Sequence, residues 1–325
     1  MIKRLYFIAL LLFFSLLGSA QTIKNYHSFF AEATIHNQST HLCIIRKYTQ
    51  NSQLLYLAVN PSTLSVDIYP ERKLIITSDS TKFMASLFPK STYIKAWKMA
   101  KHYEKPLQDA GISHALPDRQ GVILTIDLCP ALKPLDRTLF LDIMNQLDNI
   151  QQPIPIAISV SGHWMLKHLD DLDWLKKLDQ QNKISILWVN HSFHHFYNKN
   201  LPLYLNFMLW KKTNIEEEVL LNEITMLENG ITPSIFFRFP GLVSEPKVFE
   251  KVMSYGLIPI GSDAWLAKGE TAENGNIVLV HANGNEPLGV QKFISLLHRN
   301  EKEIKSGDWR LFDLRESIIK EAEHL

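Results

Sequence analysis

The feature that most constrains the fold is a series of short, nearly continuous apolar runs separated by segments with helical periodicity. The first run, 121–126, has no regular polar alternation, which is typical of a strand buried on both faces. Similar runs follow at 154–159, 184–189, 234–237, 257–260 and 277–280. Alternating strands and helices predict an α/β domain with a parallel sheet, either open or closed into a barrel.

One intervening segment shows the helical pattern clearly. Thr213 and Glu216 have the spacing of a capping box, and apolar residues at helical spacing follow them. Gly230 is a typical residue just beyond a helix end. We therefore expect a helix that begins after Thr213 and ends before Gly230.

The chain before residue 117 has a different pattern. Short apolar or alternating runs at 42–45, 54–59, 65–68 and 74–76 are separated by turn-forming residues, so they predict strands joined by tight turns. A helix is predicted to follow Ser91 because apolar residues recur there at helical spacing. The pattern changes near 116–119. We expect a small β-rich accessory domain over 21–117, of unknown role, and a second domain over 118–325.

The first 20 residues have the three-part pattern of a secretory signal peptide. Lys3 and Arg4 precede an apolar run over 5–17, and small residues stand at Gly18 and Ala20. The run is too short to be a convincing membrane span. The sequence predicts an exported protein, periplasmic or secreted, with no stable membrane span after cleavage. An uncleaved N-terminal anchor is the alternative.

Composition excludes several classes of function. The 34 lysines and arginines balance 33 acidic residues, so no overall field favours a nucleic acid or an anionic membrane as partner. Cys43 and Cys129 are the only cysteines, too few for a disulfide-built scaffold. A single bridge between them is compatible with the sequence but cannot be deduced from it, and protein partners and oligomeric state are equally undetermined.

Two histidines four residues apart are the strongest sign of a metal site. His191 and His195 follow the apolar run that ends at 189. On one helical turn both rings would lie on the same face and reach one ion at about 2.0–2.1 Å. By itself, the spacing is explained equally well by a polar turn whose histidines make ordinary hydrogen bonds.

Four other chemically active residues follow predicted strands, where site residues gather in parallel α/β folds. Asp127 suits a general base, a helix cap or a salt-bridge partner, and Arg238, if buried, needs an anionic partner. Asp263 and His281 end two further runs, and a carboxylate beside a histidine orients it and raises its pKa. Each is more often structural than functional when taken singly. With the histidine pair they indicate one common site.

The order of these residues resembles the polysaccharide deacetylase family, also called the NodB homology domain or carbohydrate esterase family 4. The resemblance covers about residues 121–297. His191, Ser192 and His195 meet the family motif H-[ST]-x-x-H in full, which implies that the two histidines are metal ligands. The segment 125–130 stands in the place of the motif T-F-D-D-G-P, so that Asp127 resembles the catalytic base.

The third motif of the family, R-x-P-[FYW]-G, is met only in part. Arg238 and Pro240 are present, whereas Gly241 and Leu242 depart from the aromatic residue and the glycine. The resemblance implies that Arg238 orients the base. The backbone N–H of Gly241 can still donate to an oxyanion, because that role needs no side chain.

The last two motifs complete the implied site. Asp263 and Trp265 retain part of the fourth motif, and Leu279 and His281 meet the fifth, L-x-H. By resemblance, His281 is the catalytic acid, Asp263 orients it, and Trp265 lines the substrate site.

The resemblance also implies a fold and an activity. The fold is a distorted (β/α) barrel, here preceded by the small β-rich domain. The activity is that of an exported hydrolase of carbon–nitrogen bonds, which removes N-acetyl or O-acetyl groups from an amino-sugar glycan such as peptidoglycan or an N-acetylglucosamine polymer. The implied cofactor is a divalent metal, with Zn²⁺ the first candidate, and the implied partner is the N-acetylated glycan.

Leu128 departs from the family pattern, because it occupies the place of a metal-binding aspartate. Leucine cannot coordinate zinc, and two histidines leave a catalytic zinc one protein ligand short. Either Asp127 or water fills the gap, or the Cys129 thiolate does, or the chain is a glycan-binding pseudoenzyme without a catalytic metal. A hydrolase that acts on a non-sugar amide is a further alternative, since a fold does not fix the substrate.

Overall fold

The computed structural model describes residues 22–80, 83, 88–105, 107–115 and 119–324. The predicted signal peptide over 1–20 therefore lies outside the described residues, as do residues 116–118 of the expected boundary. Within the described ranges, no helix is both long and apolar enough to cross a membrane.

The N-terminal part is a five-stranded antiparallel sheet. Its strands are β1 (Ile23–Ile35), β2 (His41–Gln50), β3 (Gln53–Val59), β4 (Val66–Pro70) and β5 (Leu74–Ser80), in the spatial order β4-β3-β2-β1-β5. The four predicted strands are confirmed as β2 to β5, whereas β1 was not predicted. The helix α1 (Thr92–His102) begins after Ser91, whose hydroxyl accepts a hydrogen bond from the backbone N–H of Ile94.

The rest of the chain alternates strands and helices, as the apolar runs predict. Its elements are β6 (Gln120–Leu128), α2 (Arg137–Leu147), β7 (Ile154–Val160), α3 (Gly162–Lys167), α4 (Leu169–Gln180), β8 (Ile184–Asn190), α5 (Ile215–Glu228), β9 (Phe236–Arg238), α6 (Pro246–Met253), β10 (Ile258–Ile260), β11 (Ala264–Trp265), β12 (Ile277–Val280), α7 (Pro287–Arg299), α8 (Glu301–Ser306), β13 (Trp309–Leu311) and α9 (Leu314–Glu323). The strands form one parallel sheet in the order β10-β9-β8-β7-β6-β12-β11, with β13 paired to β6.

The run 258–265 closes this sheet into a distorted barrel. Its first part, β10, pairs with β9, and its second part, β11, pairs with β12 on the other side of the sheet. Only 261–263 separates the two parts, so they are one interrupted strand with a neighbour on each side. The predicted fold class, an α/β barrel with an N-terminal β-rich part, is confirmed.

The helix α5 begins one residue later than the capping box predicts. The side chain of Asn214 accepts hydrogen bonds from the backbone N–H groups of Glu216 and Glu217, so Asn214 and not Thr213 caps it. The hydroxyl of Thr213 donates instead to the carbonyl of Phe207. Gly230 follows the helix with φ of 73°, a left-handed conformation that favours glycine.

The N-terminal sheet and the barrel share one hydrophobic core. Phe30, Ile45 and Leu57 of the sheet belong to the same buried cluster as Phe236 and Ile258 of the barrel. Between the two parts, the buried guanidinium of Arg46 donates to both carboxylate oxygens of Glu223 on α5, at 2.7 and 2.9 Å. The sheet is thus packed directly against the helix that precedes β9.

Candidate metal and hydrolase site

The carboxyl ends of the parallel strands bring four of the predicted residues together. Val280 pairs with Ile126, so the next residues of these strands, His281 and Asp127, lie side by side. Across the sheet, Leu128 pairs with Val160 and Val160 pairs with Asn190, which places His191 beyond the end of β8. Arg238 ends β9. Barrel closure therefore gathers residues that are far apart in the sequence.

His191 is fully buried and its orientation is fixed by the backbone. Its Nδ1 donates a hydrogen bond to the carbonyl oxygen of Arg238 at 2.9 Å. In the neutral ring, Nε2 therefore carries the lone pair, and this nitrogen lies 3.5 Å from Sγ of Cys129 and 3.7 Å from Oδ2 of Asp127. A backbone acceptor on one ring nitrogen with the other nitrogen free is the arrangement that metal-bound histidines adopt.

The histidine loop, residues 191–195, is irregular, so the expected helical turn is wrong. Ser192 and His195 have φ of 66° and 51°, which a right-handed helix does not permit. The loop is held by side-chain contacts instead, because Asn190 accepts from the N–H of Ser192 and Glu218 accepts from the N–H of His194. The rings of His191 and His195 still meet, with centroids 4.8 Å apart.

Cys129 completes a cluster of three ligand atoms with the two histidines. One atom from each of Cys129, His191 and His195 lies within 4.8 Å of the other two. Burial raises the pKa of the Cys129 thiol, but the nearby His195, His281 and His191 outweigh this and hold it well below its ordinary value. Cys129 and Cys43 are both free, so the compatible bridge between them is not formed.

Strand alternation explains why Cys129 and not Leu128 faces the histidines. Successive side chains of a strand point to opposite faces, so Asp127 and Cys129 share one side. Leu128 is fully buried in the cluster that also contains Leu124 and Ile126. The residue at the expected metal-ligand position is therefore part of the hydrophobic core.

The donor set of this cluster fits a zinc ion. One thiolate and two imidazoles are ligands that zinc prefers, and three protein ligands leave the fourth position of a tetrahedral catalytic site for water or substrate. In addition, the buried Nε2 of His195 has no hydrogen-bond partner among the described residues. A buried polar nitrogen without a partner is unfavourable, and coordination would satisfy it.

Asp127 lies beside this cluster in contact with Arg238. The carboxylate is buried, and its Oδ1 is 3.6 Å from Nη1 of Arg238. The guanidinium donates from Nη2 to the hydroxyl of Thr125 at 3.0 Å. Burial lowers the pKa of Arg238 although Asp127 opposes the shift. Asp127, the predicted catalytic base, and Arg238, the arginine predicted to orient it, are thus neighbours.

His281 pairs with Glu286 and not with Asp263. Its Nδ1 lies 2.9 Å from Oε2 of Glu286, and Nε1 of Trp265 donates to the same oxygen at 2.7 Å. Burial disfavours the imidazolium, but Cys129, Glu286 and Asp127 together hold the pKa of His281 well above its ordinary value. Burial would raise the pKa of Glu286, yet His281 lowers it.

Asp263 has a structural position, which corrects the expectation that it orients His281. Its carboxylate accepts hydrogen bonds from the N–H of Ile277 at 2.9 Å and from Asn276 at 2.7 Å, and it pairs with His114 at 2.7 Å. Ile277 is the first residue of β12, whereas His281 follows the last. Four residues of a strand span roughly 13 Å. Asp263 therefore lies beside the start of β12, too far along the strand to contact His281 at its end.

A cleft of about 840 Å³ opens directly above the cluster. Cys129, His195 and His281 line it, together with the predicted substrate residues Gly241 and Trp265. Gly241 has φ of 62°, and a Cβ at this position would lie 2.6 Å from the ring of Phe207. A glycine is therefore required there by both conformation and space.

No protein-family model matches the chain. Its fold is similar to those of several solved structures. A family 4 carbohydrate esterase from Bacillus anthracis shares 18% identity over 65% of this chain and 87% of that one, with a TM-score of 0.42. PdaA from Bacillus subtilis, also a family 4 carbohydrate esterase, shares 15% over 68% and 86%, with a TM-score of 0.46. The likeness to family 4 carbohydrate esterases is one of fold. A pseudoenzyme of the same family from Bacillus anthracis shares 16% over 65% and 70%, with a TM-score of 0.43.

Two carboxylates of the site were missed by the comparison with family 4 motifs. Glu286, the partner of His281, lies five residues after that histidine, and an acid so close in sequence to a candidate catalytic histidine was a usable signal. Glu218 is on α5, and its contacts with the N–H groups of His194 and His195, at 2.9 and 3.4 Å, depend on how α5 packs. No local pattern predicts such a contact.

Proposed function

We propose that this protein is a metal-dependent hydrolase that removes acetyl groups from an N-acetylated amino-sugar glycan. The single observation that carries the proposal is the Cys129–His191–His195 cluster, which lies beside Asp127 and His281 and is reached from an open cleft that Cys129 and His195 line. We further propose that the chain is exported, on the signal-peptide pattern of residues 1–20.

Cys129, His191 and His195 would hold the metal. When bound there, a divalent ion supplies a Lewis acid that polarises an acyl carbonyl and makes water a better nucleophile. Zinc is the proposed ion because the donor set contains a thiolate. The hydrogen bond from Nδ1 of His191 to the carbonyl of Arg238 selects the neutral tautomer in which Nε2 is the nitrogen available to the metal.

The neighbouring residues supply proton transfer. Asp127 accepts a proton from the attacking water, and the guanidinium of Arg238, 3.6 Å from the carboxylate, helps to position it. The acyl carbon–nitrogen bond then breaks, and the amine nitrogen takes its proton from the His281 imidazolium. Glu286 supports that charged form of His281. The products are acetate and the free amino sugar, and the two proton transfers balance.

The proposal is tested by acetate release from acetylated chito-oligosaccharides and from peptidoglycan, with purified protein. The expected result is release that a chelator stops and added zinc restores. Asp127→Asn and His281→Ala are each expected to lower the rate by about 10²–10⁴-fold. An absence of metal-dependent acetate release from every acetylated glycan would overturn the proposal and favour a glycan-binding pseudoenzyme.

A further inference from the structure

The segment 196–210, between the histidine loop and α5, places two stacked aromatic rings at the cleft. The rings of Tyr197 and Phe207 are 5.2 Å apart and inclined by 17°, and both residues line the cleft. Phe207 is buried, whereas Tyr197 is 58% exposed. Tyr197 therefore presents an aromatic surface to solvent while its orientation is fixed by the ring beneath it.

Phe207 connects this pair to the metal-binding cluster. Its ring meets the ring of His195 edge-on, with centroids 5.5 Å apart, and it occupies the space that a side chain at Gly241 would need. Phe207 has φ of 53°, an unfavourable conformation for a bulky residue. Strain of this kind persists where the surrounding structure imposes it, often at functional sites.

The segment is held in shape by its own hydrogen bonds. The buried amide of Asn206 accepts from the N–H of Asn198 at 2.6 Å and donates to the carbonyl of Leu201 at 2.9 Å. The N–H of Phe207 donates to the carbonyl of Phe196 at 2.8 Å. These contacts order the aromatic pair before any ligand arrives, which reduces the entropy lost on binding.

The lining of the cleft also contains polar side chains. Gln108, Lys268, Asn285 and Glu286 contribute to it, so a ligand there meets both aromatic rings and hydrogen-bonding groups. A pyranose ring suits this combination, because C–H bonds cover its faces and hydroxyls project from its edge. A purely apolar acyl chain would leave these polar groups without partners.

We propose that Tyr197, supported by Phe207, is a stacking platform for a pyranose ring of the glycan, namely the sugar next to the one that is deacetylated. This inference rests on the proposed function, since it names a subsite of that cleft. It gives the substrate class more narrowly: the protein recognises an oligosaccharide, in which a second sugar contributes to binding, and not a single acetylated sugar.

The test measures binding of N-acetylated chitotetraose to the full chain by calorimetry, with chelator present so that no turnover occurs. Tyr197→Ala is expected to weaken binding by about tenfold, as loss of an aromatic contact does. Tyr197→Phe keeps the ring and is expected to bind as the unmodified protein does. Tyr204→Ala is the matched control, because Tyr204 is 60% exposed on the same segment but does not line the cleft.

Equal affinity of the Tyr197→Ala variant and the unmodified protein would overturn the platform. Because binding is measured while no acetate is released, the result does not depend on whether the protein is a hydrolase. Binding that depends on Tyr197, without acetate release from any glycan, would support the platform and contradict the proposed function. Acetate release with binding indifferent to Tyr197 would do the reverse.

Discussion

The thiol sulfur of Cys129 lies 3.5 Å from Nε2 of His191. Because Nδ1 of the same ring donates to the carbonyl of Arg238, Nε2 is the nitrogen that the neutral ring offers to a metal beside this sulfur. The family 4 pattern has a carboxylate at the position before this cysteine, where Leu128 is buried in the core. The cysteine, on the opposite side of the strand, is thus the residue placed to complete the ligand set.

Replacement of Cys129 by serine should weaken zinc binding. A hydroxyl is a much poorer zinc ligand than a thiolate. Mutation of a residue that only supports a ligand already lowers metal affinity by about tenfold or more, so we expect the zinc affinity of Cys129→Ser to fall by more than about tenfold. His191→Ala should abolish stoichiometric zinc. Metal content after dialysis measures both. His194→Ala, in the same loop but outside the cluster, should retain zinc. Retention of full affinity in Cys129→Ser would return the ligand role to Asp127 or water.

Replacement of Glu286 by glutamine should shift the pH dependence of activity. The Glu286 carboxylate is one of the groups that raise the pKa of His281. In the proposed mechanism the His281 imidazolium is the acid, so activity falls as pH rises through that pKa. Removal of the carboxylate lowers the pKa, and the fall in kcat/KM should therefore occur at lower pH than in the unmodified enzyme. Asp263→Asn, as control, should leave this limb of the profile in place.

Much of the fold can be predicted from the sequence because strands and helices have local patterns. The exception among the long strands is β1, whose register with β2 shifts between Lys24 and His27 and again between Ser28 and Ala31. Such irregularities break the two-residue alternation on which strand prediction depends. The strand was missed for this reason.

The site was predicted less completely because its contacts are not local. The order of Asp127, the histidine pair and His281 was visible in the sequence. The left-handed conformations of the histidine loop, in contrast, depend on Glu218 and Asn190, and Asn190 in turn accepts a hydrogen bond from Asn222 on α5. The position of Asp263 along the barrel axis depends on the interruption between β10 and β11. None of these follows from residue spacing.

The ion pair between Arg46 of the N-terminal sheet and Glu223 of the barrel should contribute to the free energy of unfolding. Both side chains are buried, so Arg46→Met leaves a buried carboxylate without its partner and should destabilise the protein by about 3–5 kcal/mol. Urea unfolding measures the change. Arg46→Met combined with Glu223→Leu should regain most of the loss. Lys101→Met, which breaks an exposed pair with Glu250, should change stability by about 0–1 kcal/mol.

Substitution of Gly241 by alanine should disturb the cleft. The new Cβ would meet the ring of Phe207 at 2.6 Å, and alanine is strained at φ of 62°. We expect a loss of stability of about 1–2 kcal/mol together with a displaced Phe207 ring and weaker oligosaccharide binding. A crystal structure of the variant shows the ring position. An unmoved ring with unchanged oligosaccharide affinity would contradict the role given to Gly241.

X-ray absorption spectroscopy of the zinc-loaded protein identifies the zinc ligands themselves. We predict one sulfur at about 2.3 Å and two imidazole nitrogens at about 2.0–2.1 Å from zinc, with the sulfur signal lost in Cys129→Ser. A zinc site with nitrogen and oxygen ligands and no sulfur would contradict this prediction.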